Sequence, residues 1–179
     1  MPEIGSSILG ASVMGDSALS RFEIALNDIK SEFLLISVES GYRNDVVDVI
    51  KAIRPLTAIT EFPEIGLQLG TRTVTALDQT WQVSTGECDV YVQGAVESDA
   101  NMEKSSDALI EAVESIAHDM TKVMAVIYTK YINSGNGRWN VLNKPYKITP
   151  FFDFGKKSNK GVVLLEFKIQ LRAMDGTYL

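Results

Sequence analysis

The chain predicts an α+β fold: a mostly antiparallel, twisted sheet of four to five strands packed against two helices, with a flexible N-terminal arm and a long C-terminal β-hairpin. Three observations predict it. In the stretch Val162–Met174, the odd positions Val163, Leu165, Phe167, Ile169, Leu171 and Ala173 are apolar, while Glu166, Lys168, Gln170 and Arg172 alternate with them. A strand sends successive side chains to opposite faces, so this is a long strand with one dry and one wet face, and a one-residue slip would drive polar groups into the core. Between Ser106 and Tyr131, the residues Leu109, Val113, Ile116, Met120, Val123 and Ile127 recur at steps of four and three, which is one apolar stripe on a helix. A second stripe, Leu19, Phe22, Leu26, Ile29 and Phe33, predicts an earlier helix of the same kind.

Taken in order, residues 1–16 are rich in Gly, Ser and Ala without a sustained period, and read as an arm without fixed structure. The remaining residues, 17–179, read as one domain, with 133–161 as a basic loop or hairpin extension. Asp16 or Ser17 can cap the first helix, and Leu34, Leu35, Ile36 and Val38 extend its apolar run towards Gly41, a plausible helix stop; a short strand over 33–38 competes. Val46–Ile53 fits a helical face or a strand; its valines and isoleucines favour the strand, which Pro55 limits. Ile65, Leu67 and Leu69 alternate after Pro63 and predict a strand over Phe62–Leu69, with 71–79 a polar connection or extension. Trp81–Glu97 is a long strand with Cys88, Val90, Val92 and Val96 on one face. Trp81 and Val83 are out of phase with them, which places a bulge near Ser84–Gly86. Asn133–Gly137 ends the long helix. Tyr146–Phe154 and the terminal strand then form the hairpin, joined through the lysine-rich turn Gly155–Gly161.

Composition narrows the chemistry. At 179 residues, with 45% hydrophobic content and a mean hydropathy of +0.04, the chain suits a globular domain. No run of about 18 apolar residues occurs, so no membrane span is expected, and no basic segment precedes an apolar block as in a secretory signal. A net charge of −6 argues against a general nucleic-acid-binding surface. That charge is uneven: residues 133–160 hold Arg138, Lys144, Lys147, Lys156, Lys157 and Lys160 against Asp153 alone, a net of +5, which leaves −11 on the remainder. This segment is either a solvated hairpin whose lysines discourage edge pairing, or a positive arm that meets an acidic surface on a neighbouring subunit.

Catalytic constellations are hard to build from these residues. His118 is the only histidine, set on the polar side of the long helix, so neither a triad nor a histidine-rich metal site can be assembled around a second one. Cys88, the only cysteine, falls on an apolar strand face and reads as a small buried hydrophobe; intramolecular disulfides are impossible. Ser134-Gly135-Asn136-Gly137 follows a helix rather than a strand and is a loop, not a phosphate cradle. Tyr146, Phe151, Phe152 and Phe154 beside lysines could stack on single-stranded nucleic acid, but hairpin packing accounts for them more simply.

The order of elements, with its local sequence, resembles the tail terminator (tail completion) proteins of long-tailed bacteriophages. The resemblance is carried by the N-terminal helix followed by Gly41-Tyr42-Arg43-Asn44-Asp45-Val46, by Phe62-Pro63-Glu64-Ile65, by the strand Glu87–Glu97 with the helix after it, and by the terminal alternating strand ending at Met174. It spans about residues 17–175. It implies a virion protein that forms a hexameric ring on the tail tube, stops its polymerisation and presents a surface to the head–tail connector or neck protein. In contractile tails it implies contact with the sheath as well. DNA passes through the ring without specific binding, and the resemblance implies no catalysis, cofactor or membrane. The expected interface residues are Arg138, Trp139, Lys156, Lys157, Lys160, Glu166, Lys168 and Arg172, together with the 1–16 arm. Other tube, neck or baseplate roles, or a small hydrolase or nuclease, are the alternatives.

Overall fold

The computed structural model describes residues 21–76, 83–98, 105–132, 139–142, 145–152 and 159–174. The 1–16 arm, Asp16, Ser17 and Leu19, Trp81, and the turn 153–158 lie outside them. The elements run α1 (Arg21–Phe33), β1 (Asp48–Ile50), β2 (Glu64–Ala76), β3 (Val83–Glu97), α2 (Ser105–Tyr131), β4 (Trp139–Val141), β5 (Lys147–Phe152) and β6 (Lys160–Met174). They make one α+β fold with a six-stranded sheet ordered β1-β2-β3-β6-β4, and β5 also pairs with β6.

The long alternating strand β6 lies inside this sheet, with partners on both sides. It pairs antiparallel with β3 without interruption from Val83↔Met174 to Glu97↔Lys160, and on its other side with β4 and β5. Its dry face, Val163, Leu165, Phe167, Ile169 and Leu171, is buried, and so is the α2 stripe of Leu109, Val113, Ile116, Met120, Val123 and Ile127. Both belong to one core with Phe22, Ile29 and Phe33 of α1. Side chains buried in this way each contribute roughly 1.5–3 kcal/mol. Glycine on the sheet lets α2 approach: a Cβ on Gly161 would lie 2.4 Å from Val113 Cγ2, and one on Gly94 would lie 2.6 Å from Met120 Sδ.

Among the described residues, the opposite face is covered at one end only. β1 runs parallel to β2, which needs a crossover of about a dozen residues, and residues 51–63 supply it. The crossover touches residues that point away from α2. The Arg54 N–H donates to Gln93 Oε1 (3.1 Å), and Lys160 Nζ donates to the Ile59 carbonyl (3.4 Å). Arg54 also forms an ion pair with the buried Glu64. Gly66 sits beneath this strap, and a Cβ there would lie 2.5 Å from the Ala52 carbonyl oxygen. Gly66→Ala is therefore expected to cost about 1–3 kcal/mol, read as a lower urea midpoint with unchanged m-value.

Several local expectations are corrected. The bulge lies in β2, between Leu69 and Arg72, and not in β3 near Ser84–Gly86. The reason is space and phase. Gly70 at the bulge has room for no Cβ, since Tyr91 Cε2 would be 2.3 Å away. The extra residue turns Arg72 to the helix side, with its guanidinium 4.4 Å from the Phe22 ring centroid. α1 ends at Phe33. Ser37 instead caps a 3₁₀ helix, Val38–Ser40, which Gly41 closes at φ 82° with its N–H donated to the Val38 carbonyl. Strand, not helix, forms within 46–53, but only over Asp48–Ile50. β4 was not foreseen, because Trp139 and Val141 around Asn140 are too short an alternation to stand out. Pro150, which has no N–H for a ladder, sits in a strand that flanks the sheet. No helix among the described residues is long and apolar enough to cross a membrane.

Candidate functional site

Beyond the crossover, the same face of the sheet carries a charged groove. Cross-strand register sets Asp89 beside Lys168, and Tyr91 beside Glu166 and then Lys147. Lys168 Nζ lies 2.7 Å from Asp89 Oδ1, and Lys147 Nζ lies 3.9 Å from Glu166 Oε1. With Pro145 these residues border a hollow of about 210 Å³. The hydrogen bond to Asp89 raises the Lys168 pKa above that of a free lysine. Within one protomer, then, the neighbouring strand supplies Lys168 with an acid. Such solvent-exposed pairs set cross-strand register and solubility more than stability, and salt screens them.

The other expected interface residues separate. Trp139 is corrected outright. It is 1% exposed, stacks on Tyr131 with ring centroids 4.2 Å apart, and donates from Nε1 to Asp28 Oδ2 at 2.8 Å. It belongs to the core, because β4 turns it inward between α1 and α2. Lys160 reaches across to the crossover, with Nζ 4.6 Å from the Phe62 ring centroid as well as near the Ile59 carbonyl. Arg138, Lys156 and Lys157 lie outside the described residues, as does the side chain of Arg172, whose backbone pairs with Thr85.

Three buried acids were missed, and each holds segments together. Asp119, fully buried, accepts from the backbone N–H of Arg43 at both oxygens (3.1 and 2.9 Å), from the Asn44 N–H (2.9 Å) and from Asn44 Nδ2 (2.7 Å). It thereby pins the 41–46 segment to α2. Glu32 accepts from Lys130 Nζ and from the Tyr131 hydroxyl (3.2 Å), tying α1 to α2; that bond raises the Lys130 pKa. Glu64 holds Arg54 of the crossover. A signal for two of them was present. Asp119 stands three residues after Ile116, and Glu32 three after Ile29, so both lie on the flank of an apolar stripe, where a carboxylate must be paired.

His118 is about half exposed, with Nδ1 3.4 Å from Asp119 Oδ1. Cys88 is buried, and burial pushes its thiol pKa up against the smaller opposite pull of Arg72, away from the thiolate a nucleophile needs. Among the described residues no group of three or more His, Cys, Asp or Glu is placed to hold a metal ion.

What the surface does offer is exposed apolar side chains, Ile110 and Val126 on α2 and a more exposed set elsewhere. Leu34, Leu35, Val38 and Val47, near β1, and Phe151 of β5 are each 51–55% exposed. No family model matches the chain, and no curated protein matches it in sequence.

Proposed function

We propose that this chain is a structural virion protein that caps the end of a phage tail tube as a ring, stops tube polymerisation and forms the joint to the head connector. The observation that supports this reading is the order of elements on which the resemblance rests: α1, the short β1, the long pair β2 and β3, the helix α2, and the β5–β6 hairpin. The stretches that carry the resemblance have definite places in that order. Gly41–Val46 is the segment held by Asp119, and Phe62-Pro63 leads directly into β2.

The mechanism is interfacial. Copies of the chain close head to tail into a hexameric ring, one rim resting on the tube protein and the other meeting the connector or neck protein, with the sheath alongside in a contractile tail. DNA passes through the central hole, and the chain's net charge of −6 suits passage without adhesion. The ring carries out no catalysis and needs no cofactor.

Deleting the chain from the phage that carries it is expected to yield tails of uncontrolled length that fail to join heads, visible by negative-stain imaging. Tails of normal length joined to heads would refute the reading. Purified protein that grows into long polymers, instead of stopping at a closed ring, would favour a tube component.

A further inference from the structure

Residues 51–63 leave the sheet after Ile50 and return to it at Glu64. Because β1 and β2 are parallel neighbours, paired from Asp48↔Glu64 to Ile50↔Gly66, the ends of this crossover stand about 8 Å apart, one strand spacing across and two residues along. A surface loop whose ends meet in this way is an Ω-loop. Its hold on the sheet is thin. None of its residues joins a strand ladder, and the backbone bonds inside it are local: the Ala58 N–H donates to the Pro55 carbonyl (2.8 Å) and the Ile59 N–H to the Leu56 carbonyl (3.3 Å). The Val47 N–H donates to the Pro63 carbonyl (2.9 Å) and fixes the returning end. Within residues 51–63, Ile59 alone is buried, and it is separate from the core that α1 and α2 cover. The ties to the sheet run through side chains: Gln93 and Glu64 hold Arg54, and Lys160 meets the Ile59 carbonyl and the Phe62 ring.

Ala95 lies between these ties. On β3 it stands two residues from Gln93 and two from Glu97, the partner of Lys160, and it is 1% exposed. Register sets Gln93 beside Leu164 and Ala95 beside Val162, with both β6 residues half-buried. The next pair on this face, Tyr91 with Glu166, belongs to the charged groove. The crossover therefore covers the strip along which the groove would continue.

We infer that residues 51–63 are a lid that swings off the sheet as one unit, about Ile50 and Pro63, while the sheet and the α1–α2 core stay folded. Opening lengthens the groove by Gln93, Ala95, Val162 and Leu164, so that a mostly apolar floor joins the charged one. Segments with few buried apolar contacts open at a lower free energy than the whole fold, and lids are drawn from them. The flanking strands stay in place, since β2 keeps its ladder with β3 and β1 keeps Val49 in the core. Opening also wets Glu64 as it frees Arg54, so no carboxylate is left dry and unpaired. The lid stands whether or not copies of the chain close into a ring.

The test is thiol labelling of Ala95→Cys, with Cys88, buried in the core, as the internal reference for unfolding. The introduced thiol is expected to react with Ellman's reagent at least about tenfold faster than Cys88, and with a weaker dependence on urea, because lifting the lid exposes less surface than unfolding. One rate and one urea dependence for both thiols would overturn the lid, since the crossover would then leave only with the whole fold. Hydrogen exchange of the wild-type protein decides the case in which the new side chain itself lifts the crossover. The amides of Arg54, Ala58 and Ile59 are expected to share one opening, with a smaller urea dependence than the β3–β6 ladder. Unrelated openings for the three, or exchange only together with the ladder, would refute the lid whatever the thiols show.

Discussion

Trp139→Ala is expected to destabilise the isolated protomer by about 3–5 kcal/mol. The indole is buried to 1% exposure and lies nearly parallel to Tyr131, at 20° between the ring planes. Truncation removes a large buried surface, empties a volume bounded by α1, α2 and β6, and leaves Asp28 without its Nε1 donor. The measurement is urea unfolding at several protein concentrations. A residue that only bonded subunits would leave monomer stability unchanged and weaken association; here the loss is expected to be independent of concentration. Trp139→Phe separates the two contributions, since it keeps an aromatic stack and loses the hydrogen bond, and should cost about 1 kcal/mol for that bond plus a smaller packing term.

The second large effect is at Asp119. Asp119→Ala removes both carboxylate oxygens from a fully buried position and strands the N–H groups of Arg43 and Asn44 and the Asn44 amide. Buried donors left unpaired cost about 1–3 kcal/mol each, so a total of roughly 3–5 kcal/mol is expected after partial rehydration. Asp119→Asn retains one accepting oxygen and should fall between wild type and Ala. The loss should be local as well as global: amide exchange at Arg43 and Asn44 should accelerate more than exchange in the β3–β6 ladder, which Asp119 does not touch. Equal acceleration at both places would show that the carboxylate supports the whole core, and not this segment.

These two residues mark where the sequence was legible. The α2 stripe and the β6 alternation were readable because one-sided burial imprints a period of 3.6 or 2 on neighbouring residues. The hairpin of β5 and β6 followed from those periods and from the turn residues between them. Trp139 misled because an aromatic beside a basic run fits an interface as well as a core, and a three-residue strand leaves no period. The partner of Lys168 was not legible either: alternation tells which face a side chain occupies but not which strand lies alongside. Asp119 was visible as an acid on an apolar flank, but its partners were not, since they stand 75 and 76 residues away.

The sequence by itself determined that there would be one sheet, two covering helices and a long strand with opposed faces, because each of these depends on side chains a few residues apart. Only the tertiary structure decided that β3 brings Asp89 to Lys168, and that Asp28 waits for Trp139 across 111 residues. Those pairings depend on strand order and register, which are set by how the whole core closes and leave no local period to read.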